Sequence, residues 1–363
     1  MLGVCVNFPD YQHELDMFGL ATPQIHPVWR ESTRRVLREQ ILNPFAQSPL
    51  AANTTGEHAE KLTFRLSMPL FGHLLGLRLP QLILLQQLCG VLFLGMVYKL
   101  AYRVTGDLVS AALLPFAFVF SYVGQACFLD LRPCFDGMAY CGVAFAMYFR
   151  NPALIFLGLE FSFWTDERAV LVSPVLLMWQ VVQEAEQARA VTRQRALQNP
   201  RVWTVVLAVF CYGAGRLSLG HLWQIRQWHR DISASTTREQ WPMFLVGWAC
   251  SLKWLWLLVA GGALAAILSR RHLVGSLMAL FVVLYLASCT LVYDTTRSAA
   301  YAFPAVFVAL VYLCRTESQV TMRWLVLGVS VLCFLSPSAY VTGTSFQQAA
   351  PVLPMAMKWV LGR

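Results

Sequence analysis

The chain has 363 residues, 57% hydrophobic and 13% charged, with a net charge of +9 and a mean hydropathy of +0.54. Soluble domains carry nearly twice that charged fraction, about 25%, so no sizeable soluble domain is expected beyond about residue 80. The basic balance does not point to nucleic acid, because many Lys and Arg residues lie in short loops between apolar segments, where membrane topology places them.

Residues 1–79 form a mixed segment without the run of about 20 apolar residues that a spanning helix needs. No signal peptide is expected there, since Met1–Val6 is too short and Asp10 follows soon after. The string VWRESTRRVLREQI, from Val28 to Ile41, sets Val28, Val36, Leu37 and Ile41 against Arg30, Arg34, Arg35 and Arg38. It reads as a short amphipathic helix on a membrane surface. Pro44, Pro49 and AANTTG mark a loop, and a second helical stretch is expected from Glu57 to Leu77, bent at Pro69. His73, inside an apolar stretch of that helix, is expected to be a satisfied core histidine.

From Pro80 onward, apolar segments follow one another at 80–102, 108–128, 134–149, 152–165, 168–183, 203–222, 243–268, 274–293, 297–314 and 323–341. The expected fold is an all-α, polytopic transmembrane helix bundle of about ten spans, some of them short or re-entrant. Residues 1–79 would be an external amphipathic segment, 80–341 the transmembrane domain and 342–363 a short external tail. Loops holding Lys99 and Arg103, Arg150, Arg189–Arg201, Arg270 and Arg271, and Arg315 and Arg323 are basic and are assigned to the cytoplasm. Alternation then puts Asp130–Asp136, Asp166–Arg168, residues 223–242 and Asp294–Arg297 on the outer face. The ten cysteines show no metal-ligand spacing and read mainly as small core residues, although Cys127 and Cys134 flank one outer loop and could pair. No P-loop, HExxH or GxSxG motif is present.

The outer-face charges are the candidate functional residues. Asp166, Glu167 and Arg168 open one apolar segment. The two acids fit a helix N-terminus, whereas a cation there calls for an acid partner or a bound phosphate. Asp294 ends one segment and Arg297 begins the next, as caps with a local ion pair or as part of an anion site. Asp130, Arg132 and Asp136 surround a turn stiffened by Pro133. On a helix, His58, Lys61 and Arg65 would share one cationic face. Arg216 lies within an apolar segment, where a charge is costly enough to require a partner or a role. Trp223 and Trp228 read as interfacial anchors. Asp10, Glu14 and Asp16 are the acids of the N-terminal segment and each could serve as a general base.

The long amphipathic first outer loop, its passage through EHAEKLTFRLSMPLFGHLLGL into a bundle with short central helices, and the arginine-bearing helix starts TDERAVLVSP and YDTTRSAAYAFP form one layout. That layout resembles the C-type (GT-C) membrane glycosyltransferase superfamily over most of the chain. The resemblance implies transfer of a sugar from a polyprenyl-phosphate donor at the outer membrane face. It implies Asp10, Glu14 or Asp16 as the catalytic acid, with Arg168, Arg297, Arg216 or Lys61 stabilising the leaving phosphate. A divalent metal is compatible with this chemistry but is not established by the residues. Membrane lipid and a polyprenyl-phosphate-linked sugar are the expected partners, in a multi-pass protein of the bacterial inner membrane. Two other readings stand beside it: a transporter or flippase for an anionic lipid or solute, and a non-catalytic membrane subunit.

Overall fold

A computed structural model describes residues 28–45, 63–128, 134–188, 198–223, 234–269, 272–289, 294–336, 338–342 and 345–349. The helices are α1 Val28–Leu42, α2 Ser67–Leu75, α3 Leu79–Thr105, α4 Leu108–Phe120, α5 Tyr122–Phe128, α6 Asp136–Tyr148 and α7 Pro152–Thr165. A 3-10 segment, Glu167–Val172, leads into α8 Ser173–Ala188. There follow α9 Pro200–Leu222, α10 Ala234–Leu252, α11 Leu255–Leu268, α12 His272–Cys289, α13 Thr295–Ala300, α14 Pro304–Thr316 and α15 Gln319–Leu335. Strands β1 Ser338–Thr342 and β2 Ser345–Ala349 pair antiparallel, with Tyr340 opposite Gln347. The described fold is therefore a helical bundle, with one small hairpin where helix or tail was expected.

Among the described residues, two helices, α3 and α9, are long and apolar enough to cross a membrane, and the number rises to four if the bent pairs α4–α5 and α10–α11 each make one span. This is fewer than the ten or so expected. Several expected spans are broken or shortened. The 108–128 segment bends by 73° at Ser121, whose backbone is extended and whose hydroxyl donates to the Phe118 carbonyl at 2.8 Å. Such a local side-chain bond competes with helix propagation. The 243–268 segment turns by 89° at Lys253 and Trp254, with Lys253 in the left-handed region at φ 51°. The Lys253 ammonium donates to the Cys333 and Ser336 carbonyls at 3.3 and 3.0 Å and so caps the end of α15. The 297–314 segment divides into α13 and α14, with Pro304 in the opening turn of α14.

The core explains which helices are central. On α6, every residue from Asp136 to Met147 except Phe145 is buried, and on α14 every residue from Pro304 to Leu313 is. The outer helices present leucine-rich faces instead: Leu84, Leu88, Val91 and Leu92 on α3, and Leu207, Phe210 and Leu217 on α9. A soluble protein would not leave such continuous apolar faces in water; lipid tails would cover them. Helices α6 and α7 pack closely because Gly142 and Gly158 face each other. A Cβ built on either would meet the other's carbonyl oxygen within 3 Å. Small residues allow this approach where no hydrophobic drive separates helix from lipid.

Asp107 and Arg323 join the link between α3 and α4 to the start of α15 at 2.7 Å, while Arg103 Nη1 donates to the Tyr148 carbonyl at 3.0 Å. Asp107 also caps α4 by accepting from the Ser110 N–H at 2.9 Å. The Arg323 hydrogen bond holds the Asp107 carboxyl below the usual carboxylate range. A depressed folded-state pKa stabilises the fold above the unfolded value, near pH ~4, and that contribution is lost as pH falls. Thermal unfolding in detergent should thus show Asp107→Ala to be less stable by about 1 kcal/mol at neutral pH, from the lost cap. The difference between wild type and Asp107→Asn should shrink as the pH is lowered below ~4.

Candidate functional site

At the opposite end of the bundle, four separated stretches bring charge together in a buried place. Phe135 adopts a left-handed backbone conformation, φ 55°, uncommon for a bulky residue, immediately before Asp136 opens α6. Asp166 ends α7 in an extended conformation and caps the 3-10 segment by accepting from the Arg168 N–H at 3.1 Å. Arg297 projects from α13, and its backbone carbonyl accepts from the Tyr140 hydroxyl at 3.4 Å. Asp136, Asp166, Arg168 and Arg297 are all buried.

Arg297 is the hub. Its Nε donates to Asp136 Oδ2, its Nη2 donates to Asp136 Oδ1 at 2.5 Å and lies 3.3 Å from Asp166 Oδ2, and its Nη1 lies 3.5 Å from Asp294 Oδ2. A planar guanidinium suits this arrangement because its fork can engage a carboxylate with two parallel bonds. Arg168 donates from Nε to Asp166 Oδ1 at 3.0 Å. Arg65 brings Nη2 to 3.8 Å from the same oxygen and pairs with Glu167 through Nε at 3.3 Å and Nη2 at 3.4 Å. Burial alone would raise the Asp166 carboxyl, but Arg168, Arg65 and Arg297 together hold it well below the carboxylate range. Burial acts likewise on Glu167, where Arg65, Arg168 and Arg216 together outweigh it and lower the carboxyl.

The cluster is not fully satisfied. Nη1 of Arg65 and Nη1 of Arg168 are buried with no hydrogen-bond partner among the described residues, as are the Ser298 and Tyr301 hydroxyls. Buried donors of this kind are costly unless something completes them. Arg65 and Arg168 both reach the same oxygen of Asp166, so their unmatched donors belong to one neighbourhood. Tyr301 packs edge-on against Tyr140, with ring centres 4.6 Å apart. The small hairpin closes one side. The Tyr340 hydroxyl donates to Asp294 Oδ1 at 2.8 Å, the Val341 N–H donates to Thr296 Oγ1 at 3.0 Å, and the Tyr340 ring stacks on Tyr122.

The structure brings Asp136, Asp166, Glu167, Arg168, Asp294, Arg297 and Arg65 together. Arg65 lies in a non-helical link before α2, so the expected helical stripe with His58 and Lys61 does not extend to it. His58, Lys61, Arg132, Asp10, Glu14 and Asp16 lie outside the described residues. Arg216 stands beside the main cluster. It donates to the Tyr212 hydroxyl at 2.6 Å and lies over the Phe64 ring at 4.7 Å, a cation–π contact that supplies the partner its apolar setting required. Trp223 is buried against Phe64 and Leu66, so it is a packing residue where an interfacial anchor was expected. His73 is exposed rather than in the core, with Nδ1 2.9 Å from the Ile41 carbonyl oxygen. Cys127 and Cys134 are not joined by a disulfide.

Glu160 was not apparent from the sequence, embedded as it is in PALIFLGLEFSFWT. Its Oε2 accepts from the Trp164 indole at 2.9 Å, while Oε1 is buried without a partner among the described residues. The cost of a carboxylate within an apolar helix was the available signal. Among the described residues, no group of three or more His, Cys, Asp and Glu side chains could hold a metal ion. No protein-family model matches the chain, and neither a curated protein nor a solved structure matches it.

Proposed function

We propose that this chain is a multi-pass protein of the bacterial inner membrane that transfers a sugar from a polyprenyl-phosphate donor to an acceptor hydroxyl at the outer face. The observation that carries this reading is the buried acid–arginine cluster at one end of an apolar bundle, with two guanidinium groups still short of acceptors. A lipid-borne phosphate has the charge and the oxygens to complete them. Its chain would remain in the apolar surroundings that the outer helices need.

In this chemistry the acceptor oxygen attacks the anomeric carbon, the carbon–oxygen bond to the phosphate breaks, and the phosphate leaves with the electron pair. Arg168 and Arg65 would stabilise the charge that develops on it, in a site where preformed donors act at low dielectric. A carboxylate takes the hydroxyl proton. Asp136 and Asp166 are committed to guanidinium groups, whereas the Asp294 and Glu167 side chains keep 22% and 26% of their surface exposed. Asp294 is the better placed of these two, because its main contacts are Tyr340 and the edge of Arg297 rather than a two-bond arginine pair. Asp10, Glu14 and Asp16 remain the acids that the family resemblance indicates.

The test uses the purified full chain in lipid nanodiscs, supplied with polyprenyl-phosphate-linked hexose carrying a radiolabel in the sugar. Release of free polyprenyl phosphate, with label passing to an acceptor or to water, is the expected result. Absence of both turnover and saturable binding of polyprenyl phosphate across a panel of hexoses would reject the reading.

A further inference from the structure

Helices α1 and α2 pack against each other at the same end of the bundle as the charged cluster. Ser67 Oγ donates to the Phe161 carbonyl at 2.9 Å, and Arg65, two residues before α2, reaches Glu167. The inner face of the pair is an ordinary core. Leu37 and Met68 pack with Leu79, Leu82, Ile83, Phe135 and Met138. Its two helices are tied together where His73 meets the Ile41 carbonyl, and a Cβ on Gly72 would touch the Ile41 side chain at 3.1 Å.

The outer face is different. Phe71, Leu74 and Leu75 recur at helical spacing and are all exposed, Leu74 by 70%. Leu42 and Phe45, at the end of α1 and just beyond it, are exposed as well, Leu42 by 77%. Residues i, i+3 and i+4 that stay apolar on the outside of a two-turn helix have no core to enter. Two observations identify what covers them. First, the turn at Gly76 leads directly into α3, whose exposed Leu84, Leu88, Val91 and Leu92 continue the same kind of surface along a helix long enough to cross a membrane. Second, exposed basic side chains lie around the apolar tip: Arg35 and Arg38 on α1, and Arg78 at the start of α3. Apolar contact flanked by arginine is the pattern of an element lying in the headgroup layer.

We infer that the α1–α2 pair is a membrane-interface foot whose apolar tip enters the hydrocarbon edge while its arginines meet anionic lipid headgroups. The occupant of this face is the bilayer itself. The inference rests on the reading of the chain as membrane-spanning but not on catalysis. Since Arg65 lies two residues before α2, contact of that helix with the bilayer would also steady one of the two guanidinium groups with unmatched donors.

The experiment places a fluorescent acridonylalanine at position 74 of the full chain, reconstituted in nanodiscs of phosphatidylcholine or of phosphatidylcholine with one quarter phosphatidylglycerol. A second preparation carries the label at position 317, in the exposed link between α14 and α15. Lipids brominated near the top of the acyl chain should quench position 74 at least twofold more than position 317. The anionic lipid should increase this quenching in the wild-type background, and Arg35→Gln with Arg38→Gln should remove the increase. Equal, weak quenching at the two positions in both lipid mixtures would overturn the inference and mean that protein covers the face. Deep quenching in a preparation without sugar transfer would uphold the foot while rejecting the enzymatic reading, so the two proposals fail separately.

Discussion

Replacing Arg297 with leucine should destabilise the folded protein by about 3–5 kcal/mol, the usual result of removing one partner from a buried ion pair. Arg297 neutralises Asp136 through two bonds and also faces Asp166 and Asp294. Asp136 gains least from the other arginines and would be left as an uncompensated buried charge. Asp166 would keep Arg168 and Arg65, and Asp294 would keep Tyr340. The double replacement Asp136→Leu with Arg297→Leu should therefore cost clearly less than the sum of the two single changes, with a coupling of about 1–3 kcal/mol. Thermal unfolding of the detergent-solubilised variants measures this. Simple additivity, or a single Arg297 variant as stable as wild type, would show that the cluster does not hold the bundle end together.

Arg168→Gln should do the opposite: leave the unfolding temperature near that of wild type and remove function. Its contact with Asp166 is short-range in sequence, and Asp166 retains two other guanidinium groups. What the change removes is the buried Nη1 donor and a full positive charge. If a lipid phosphate occupies that place, turnover of the polyprenyl-phosphate sugar should drop by about 100-fold or more, in line with the loss of one preformed donor to a developing anion. Arg168→Lys should recover part of the binding, since charge returns without the forked geometry. Equal loss of stability in Arg168→Gln and Arg297→Leu would instead make both residues structural.

Asp136, Asp166, Arg168, Asp294 and Arg297 could be picked out in the sequence because each is a charge flanking an apolar segment. The partnerships could not. Arg297 meets Asp136 across 161 positions and Arg65 meets Glu167 across 102. No local pattern encodes such separations. Tyr140, Tyr301 and Tyr340 were invisible for another reason: in apolar surroundings an aromatic that bears a hydroxyl looks like any core ring. The break at Ser121 was missed because hydropathy runs smoothly through it, whereas at Lys253 the charge inside an apolar segment was an available signal; backbone conformation and the side-chain bonds reveal both. The β-hairpin was hidden because the apolar run of α15 leads straight into it.

The hairpin that places Tyr340 on Asp294 also fixes when the site can exist. Synthesis proceeds from the N-terminus at ~5–20 residues per second, so Asp136 waits roughly 8–30 s for Arg297 to be made. Throughout that interval its carboxylate has no guanidinium partner from α13 and is best kept in water at the membrane rim. Helix α6, almost wholly buried, can settle in its final place only after α13 has been translated, and the site is closed only once Val341 has been added. Biogenesis of the chain thus ends, rather than begins, with its central helix in place.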